Sequence, residues 1–348
     1  MKVSIGMNLQ PGAWGGGNQF GKALCSYLQA RDVQVCFDLN DSELDIILLA
    51  EPNSRLKISA YGHKDILRYL AMKNRRALVV HRINNTSEAR DDEKKEFNKF
   101  RIDANKVADH TVFVSNWVRD RYLESGFDVS RPASTILNGS DKKLWQSGAK
   151  KGSKKGKNSK KLKLVTHHWS NHWNKGFAVY QQLDNLLADP KWSDRIEFTY
   201  IGRLPDGFEF KNSKYLEPLS GKPLAKALSE NNAYVTGAMH ESGGHHNLEA
   251  GFCGLPILYL KSGSMPEYCQ GFGLEFTMDT FEAKLEEMVV DWQKWQKKMP
   301  AFPHTADNMC AQYFSLFQEL LLKQQEVRAK RNWLGNLPWV WRTLFRKN

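Results

Sequence analysis

The stretch from residue 238 to residue 260 constrains the fold more than any other part of the sequence. It reads AMHESGGHHNLEAGFCGLPILYL. Helical periodicity begins at Asn247 and stops at Gly254-Leu255-Pro256, since glycine and proline commonly end helices. The apolar run from Ile257 to Leu260 has the length and character of a buried strand. The stretch therefore predicts a loop, a short helix and a buried strand, in that order.

Two carboxylates, Glu241 and Glu249, bracket the glycine pair Gly243 and Gly244 in this stretch. A glycine pair entering a helix presents backbone N–H groups, and the helix dipole adds partial positive charge, so a phosphate fits there. Carboxylates accept hydrogen bonds from sugar or ribose hydroxyls, each worth about 1.5–3 kcal/mol. This pattern favours a nucleotide sugar as the ligand. The alternative is an exposed loop before a surface helix, with two solvated glutamates.

The N-terminal sequence predicts a doubly wound parallel sheet. An apolar strand from Lys2 to Met7 is followed by a glycine-rich loop and then by a helical pattern through Leu28. In the loop, Gly16 and Gly17 allow a ligand to approach the backbone closely. A dinucleotide-binding oxidoreductase is the alternative, with Asp38 as its ribose-binding acid. However, the loop lacks the Gly-x-Gly-x-x-Gly spacing of such enzymes.

Further segments carry a resemblance to a known family. Glu-x7-Glu is followed by Glu-Ala-x-x-x-Gly-x-Pro, and then by SGSMPE at residues 262–267. STILNGSD at residues 134–141 and Lys175-Gly176 occur upstream of these motifs. Together they resemble the donor site of retaining GT-B glycosyltransferases, especially glycosyltransferase family 4, over roughly residues 1–310. The resemblance implies an α/β protein with two facing Rossmann-like domains and a donor cleft between them.

The resemblance also implies a division of the chain. Residues 1–148 are expected to form an acceptor domain, and residues 164–310 a donor domain that binds the nucleotide sugar. The Lys/Gly/Ser-rich segment at residues 149–163 is a linker or loop. Residues 311–348 are a helix returning to the first domain and a basic aromatic tail. Within the first domain, the charged segment from Glu88 to Lys106 predicts a solvated helix.

Roles for particular residues follow from the same resemblance. Lys175 is expected to contact the donor diphosphate, Glu241 the sugar hydroxyls and Glu249 the ribose hydroxyls. His81, at the end of a predicted strand, would reach toward the transferred sugar, and the alternative for it is a purely structural histidine. The catalytic candidates are thus Lys175, Glu241 and His81. The donor-binding candidates are Gly16, Gly17, Lys175, Arg203, Gly243, Gly244, His245, Asn247 and Glu249.

The sequence departs from the family just before Lys175. The family's Gly-Arg is missing, and the segment at residues 167–174 reads HHWSNHWN. The phosphate cation that the arginine would supply is expected from His172, from Arg203 or from the N-terminal domain. The histidines have no carboxylate at metal-ligand spacing. The GT-B resemblance also implies an enzyme that does not depend on a metal, so we expect no metal. We also expect no cofactor, the nucleotide sugar being a co-substrate.

The net charge of +12 indicates an anionic partner: a phosphorylated substrate, an acidic lipid surface or a nucleic acid. Nucleic acid is disfavoured, because the lysine run at residues 150–163 has no interleaved aromatic residues for base stacking. The tail at residues 330–348 mixes tryptophan with arginine and lysine, as interfacial membrane contacts do. Its alternative is an amphipathic segment docked on the N-terminal domain, with Pro338 interrupting any long helix.

Scattered cysteines, the lack of a signal peptide and the lack of a long apolar run favour a cytoplasmic protein, with peripheral contact at the inner membrane face. The sequence therefore predicts a retaining, metal-independent glycosyltransferase of polysaccharide biosynthesis. It would move a sugar from a nucleotide sugar to a glycan or lipid-linked acceptor. Two alternatives remain open: a sugar- or nucleotide-binding protein without turnover, and a basic nucleic-acid-binding protein.

Overall fold

The computed structural model describes residues 1–11, 15–90, 93–146, 148, 161–331 and 336–345. The chain divides into two compact units. The first comprises residues 1–138 and 306–348, and the second comprises residues 139–305. Most of the predicted linker, residues 149–160, lies outside the described residues, and its last residues already enter a strand that begins at Leu162.

Among the described residues, each unit contains one parallel sheet of six strands. The strands are β1 (Lys2–Ile5), β2 (Gln34–Cys36), β3 (Ile46–Leu49), β4 (Leu78–Ile83), β5 (His110–Phe113), β6 (Ala133–Thr135), β7 (Leu162–His168), β8 (Ile196–Gly202), β9 (Lys214–Leu216), β10 (Ala233–Thr236), β11 (Ile257–Leu260) and β12 (Gly273–Phe276). The first sheet has the order β2-β1-β3-β4-β5-β6, and the second β12-β11-β10-β7-β8-β9. Both orders reverse once, as in doubly wound folds.

Helices connect and cover these strands. They are α1 (Gly16–Gln29), α2 (His63–Met72), α3 (Glu96–Asn105), α4 (Asn116–Glu124), α5 (Lys142–Gln146), α6 (Phe177–Leu186), α7 (Pro190–Ser193), α8 (Gly221–Ser229), α9 (His245–Phe252), α10 (Met265–Cys269), α11 (Phe281–Gln296), α12 (Ala306–Leu322), α13 (Gln324–Ala329) and α14 (Leu337–Phe345). No helix in the described ranges is long and apolar enough to cross a bilayer.

The core of the first unit includes its C-terminal segment. Tyr313 and Phe317 of α12 are fully or almost fully buried in one cluster with Phe20 and Leu24 of α1. The Phe20 and Tyr313 rings lie 5.2 Å apart. A sheet flanked by helices on both faces buries both faces of its strands, which explains why Ile46–Leu49 is a continuous apolar run.

Residues 139–148, which the sequence pattern placed in the first domain, belong to the second unit. The reason is the burial of Trp145 on α5, which is 2% exposed. Its Nε1 donates to Ser140 Oγ at 2.9 Å, and its carbonyl oxygen lies 3.6 Å from Cys253 Sγ at the end of α9. A large aromatic side chain therefore attaches this segment to the second core.

The prediction of a solvated helix from Glu88 to Lys106 was wrong in extent and in character. The helix α3 begins at Glu96, after a separate short turn. One of its faces is buried, and Arg101 on that face forms an ion pair with Glu51 at 2.6 Å. The charge of the segment predicted full exposure to solvent, but Arg101 is paired inside the first unit.

Candidate functional site

The predicted donor residues of the second unit gather where its strand order reverses. The reversal lies between the neighbouring strands β7 and β10, which pair Ala233 with Leu164 and Tyr234 with Val165. In a doubly wound sheet, the connections from these two strands leave in opposite directions and open a crevice at the carboxyl ends. The segments that follow β7 and β10 contain Lys175 and Glu241, so the fold brings these distant residues together.

Lys175 and Glu241 form an ion pair, with 2.7 Å between Nζ and Oε2. The Glu241 side chain is 14% exposed and that of Lys175 is 32% exposed. Burial is the largest influence on the Glu241 pKa and acts to raise it, but Lys175 and then His246 lower it to a net value below the ordinary one. The carboxylate is therefore ionised at neutral pH, and it is held by a cation that a more highly charged anion could attract away.

Two glycines with left-handed backbones fix this pair. Gly176, directly after Lys175, has φ +104°, and a Cβ there would lie 2.7 Å from the Gly237 carbonyl carbon. Gly263 has φ +61°, and a Cβ there would lie 2.4 Å from the Glu241 backbone nitrogen. The neighbouring Ser264 donates to the Glu241 carbonyl from both its amide and its hydroxyl, each at 2.8 Å. The chain thus packs too closely here for any residue with a side chain.

The second carboxylate, Glu249, lies on α9 and is paired with a histidine that the sequence did not predict as its partner. His167 Nε2 lies 2.7 Å from Glu249 Oε2, and each side chain is 9% exposed. A carboxylate accepts hydrogen bonds, so Nε2 carries the proton of this contact. Within the described residues Nδ1 of His167 is buried without a hydrogen-bond partner. No local signal could have predicted the pair, since 82 positions separate its members.

A cluster of buried histidines lies beside these two carboxylates. His168 Nε2 lies 2.7 Å from the Tyr180 hydroxyl, and His246 Nε2 lies 3.2 Å from Thr236 Oγ1. The two imidazole rings are 4.7 Å apart. Burial is the main cause that lowers both pKa values, that of His246 to about 3 and that of His168 well below its ordinary value. Both rings are therefore neutral at physiological pH and offer hydrogen bonds but no charge.

The remaining candidates around α9 lie at or near its start. Gly244 is the residue before the helix, and His245 is its first residue. Asn247 is fully buried, and its Nδ2 lies 3.6 Å from Cys269 Sγ. The backbone of the glycine turn therefore stands at the helix N-terminus, as the sequence predicts, while the Asn247 side chain points into the protein interior. Among the described residues, no group of three or more His, Cys, Asp or Glu side chains could hold a metal ion.

The two candidates for replacing the missing arginine are both exposed. The Arg203 guanidinium follows β8 and lies 4.8 Å from the Trp169 ring centroid. Trp169 itself is 51% exposed, and sequence reasoning did not single it out. His172 precedes the turn that ends at Lys175, and its carbonyl accepts the Lys175 amide at 2.9 Å. The structure thus gives Arg203 an aromatic partner and gives the His172 backbone a part in positioning Lys175.

Gly16, Gly17 and His81 lie in the first unit. Gly16 begins α1, and no acidic residue stands in the first turn of that helix. His81 is fully buried inside β4, and Asn105 Nδ2 lies 3.0 Å from its Nδ1. Burial lowers the His81 pKa to about 3. These surroundings are those of a structural histidine, and its catalytic role stays a prediction.

Several solved structures share this architecture. The sucrose-phosphate synthase of Thermosynechococcus elongatus superposes with a TM-score of 0.63 at 13% identity, covering 92% of this chain and 99% of that one. The catalytic domain of Arabidopsis thaliana starch synthase IV, bound to ADP and acarbose, gives 0.68 at 11% identity over 92% and 99%. Anabaena HepE in complex with UDP-glucose gives 0.62 at 12% identity over 92% and 99%.

No protein-family model matches the sequence, and no curated protein does either. The similar structures are glycosyltransferases of the GT-B fold. At this level of identity the likeness establishes the fold and leaves the activity to be argued from the site. The predicted GT-B fold, with two Rossmann-like α/β domains, is confirmed.

Proposed function

We propose that this protein is a glycosyltransferase that uses a nucleotide-diphosphate sugar as donor and a glycan or lipid-linked molecule as acceptor. The observation that carries the proposal is the partly buried Lys175–Glu241 ion pair at the reversal of the second sheet. A carboxylate, a cation and a glycine turn at a helix start are there within one crevice. They match the hydroxyls and phosphates of a nucleotide sugar.

The diphosphate would take Lys175 as its main cation. The Lys175 charge is paired with Glu241, and an arriving diphosphate carries more negative charge than one carboxylate. The start of α9, with the Gly244 backbone in front of it, adds the partial positive charge of a helix N-terminus. As the bond to the sugar breaks, charge grows on the leaving diphosphate, and both groups stabilise that charge. Such stabilisation requires no metal.

The two glutamates would hold hydroxyls at opposite ends of the donor. Glu241 stays ionised in the crevice and can accept from the sugar ring once Lys175 turns to the diphosphate. Glu249 would accept from the ribose hydroxyls. His167 occupies one position on its carboxylate, and a carboxylate has about four lone-pair sites, so capacity remains for two hydroxyl donors. We infer transfer with retention of configuration from the family resemblance, in the assembly of a polysaccharide.

A ligand-binding protein without turnover is the second candidate. It is favoured by the absence of the family's arginine, because the residues in that segment include His168, which is neutral. A neutral imidazole stabilises a departing diphosphate less than a guanidinium does. The enzyme and the binding protein differ in one measurable respect, the release of nucleoside diphosphate when donor and acceptor are both present.

The proposal predicts that Glu249→Gln weakens donor binding. Melting temperatures would be measured with UDP-, GDP-, ADP- and TDP-sugars, since ligand binding raises the melting temperature by mass action. We expect one nucleotide class to stabilise the wild type. We expect the variant to bind it about 10-fold more weakly, because a charge-assisted acceptor becomes a neutral one.

Glu230→Gln is the matched control, since Glu230 lies in the same unit at the exposed end of α8. Nucleotide sugars that leave the wild-type melting temperature unchanged would contradict the proposal. Equal donor affinity in wild type and Glu249→Gln would show that Glu249 does not bind the donor.

A further inference from the structure

The C-terminal helix α14 is docked through one face and exposed on the other. Trp339 is 3% exposed and belongs to a buried cluster with Ile66, Leu67 and Leu70 of α2. The side chain of Arg68 on α2 reaches α14 as well, with Nη2 donating to the Leu344 carbonyl at 3.3 Å. One face of this helix is therefore docked on α2 of the first unit, as the alternative prediction for the tail stated.

The opposite face presents large apolar side chains to solvent. Leu337 is 66% exposed and Trp341 is 68% exposed. They are spaced i, i+4 and so lie on the same side of the helix. Met72, at the end of the adjoining helix α2, is 82% exposed. The outer face of α14 is therefore apolar, and exposed apolar faces of this kind mark interaction sites.

The sequence around α14 is basic. The segment at residues 330–348 contains five basic residues and no acidic one: Lys330, Arg331, Arg342, Arg346 and Lys347. Arg331 forms an ion pair with Asp109 at 2.7 Å inside the first unit. Arg342 is half exposed although it pairs with Asp103 at 2.9 Å. Arg68 on α2 is 53% exposed and pairs with Asp65 at 3.6 Å. Basic side chains thus border the apolar face on both helices.

We propose that the exposed face of α14, defined by Leu337 and Trp341 with Arg342 beside them and Arg68 on the adjoining helix α2, docks on a membrane surface that contains anionic phospholipid. Tryptophan prefers the headgroup level, aliphatic side chains enter the acyl boundary, and nearby arginines meet the lipid phosphates. A nucleic acid fits less well, because only Trp341 offers a stacking surface here and the neighbouring Leu337 is aliphatic. The inference does not depend on glycosyl transfer.

Co-sedimentation of the full-length protein with vesicles tests the proposal. Phosphatidylcholine vesicles, with and without phosphatidylglycerol, would be compared for wild type and for the double variant Leu337→Ala/Trp341→Ala. We expect wild type to bind only the vesicles that contain phosphatidylglycerol, and the double variant to bind them at least 10-fold more weakly. Both side chains are mainly exposed, so circular dichroism and the melting temperature should stay close to those of wild type.

A matched control and a charge variant sharpen the test. Val290→Ala removes an equally exposed apolar side chain, 70% exposed, from the other unit and should leave vesicle binding unchanged. Arg68→Gln/Arg342→Gln should weaken binding and reduce its salt dependence. Failure of wild type to bind anionic vesicles would overturn the proposal, and so would undiminished binding by Leu337→Ala/Trp341→Ala. It would also be overturned if a single-stranded oligonucleotide bound and the vesicles did not.

Discussion

At the scale of single residues, Lys175 and Glu241 show how a carboxylate with little exposure is held in its charged form. Burial alone would raise the Glu241 pKa, and the charge of Lys175 is the first cause that lowers it. A pair of this kind contributes little net stability, since desolvation opposes the Coulombic gain. In the proposed function the pair would hold a cation in place before the donor arrives, and this would lower the cost of organising the site.

Lys175→Ala should lower kcat by about 100- to 1,000-fold, with a smaller change in KM, because the lysine charge matters most as the diphosphate departs. Steady-state kinetics of nucleoside diphosphate release would measure both constants. Lys191→Ala, which removes an exposed lysine from α7 of the same unit, is the control. Wild-type kcat in Lys175→Ala would exclude the lysine from catalysis.

The neutral histidines predict a pH dependence of stability. His246 has a pKa of about 3 in the folded protein, against an ordinary value of 6.5 when unfolded. Between these values the unfolded state binds one more proton, so the free energy of unfolding falls as the pH falls from 6.5. We expect His246→Gln to reduce this slope by about 1.4 kcal/mol per pH unit.

Urea denaturation of wild type and His246→Gln between about pH 4 and pH 7 would measure the slope. Parallel pH profiles for wild type and His246→Gln would show that this histidine is protonated equally in both states.

At the scale of elements, the close approach of two loops explains why glycine stands at position 263. Its φ is +61°, and the Cβ of an alanine would lie 2.4 Å from the Glu241 nitrogen, which leaves no room for a side chain. We expect Gly263→Ala to cost more than about 2 kcal/mol, from backbone strain and the clash together. Donor binding should weaken too, because the Glu241 backbone must shift.

Gly207→Ala is the matched control for Gly263→Ala. Gly207 has a similar φ of +74°, but no atom lies within 4 Å of its Cβ position. Gly207→Ala should lower the free energy of unfolding by only about 1 kcal/mol, because it causes backbone strain without a clash. Chemical denaturation would compare the two, and equal losses would mean that contact with Glu241 is unimportant.

Some elements follow directly from local sequence. Helix α4 begins directly after Ser115, a residue type that commonly caps helices, and the Ser115 hydroxyl accepts the Val118 amide at 3.1 Å. The charged segment that contains α3 gave the wrong expectation. Arg101 in this segment is buried in an ion pair with Glu51, which follows β3 far earlier in the chain. Capping is a local signal, whereas the burial of a charge depends on a distant partner.

At the scale of the whole molecule, the first unit needs the end of the chain. Tyr313 and Phe317 of α12 fill the same core as Phe20 of α1, so residues 306–348 complete a unit whose sheet ends near residue 135. Truncation after residue 305 should therefore unfold the first unit, since removing even one such aromatic from a core costs about 3–5 kcal/mol.

Hydrogen exchange measured by mass spectrometry would test the truncation. Amides of β1, β3 and β4 should lose protection, while those of β7 and β10 in the second unit should retain it. Protection that persists in β1, β3 and β4 would mean that the first unit folds without its C-terminal helices.

The strands, the main helices and the glycine turn could be inferred from the amino-acid sequence by itself. The signals for them lie within short stretches of sequence: hydrophobic periodicity, glycine and proline positions, and the paired glutamates. The pairing of Glu249 with His167, the burial of His81 and the neutral state of His246 could not. Each depends on which strands become neighbours and on how much water is left around a side chain. The hydrophobic pattern of a segment shows which face of a helix or strand is buried. The contacts and the protonation state of a side chain are decided where elements from distant parts of the chain meet.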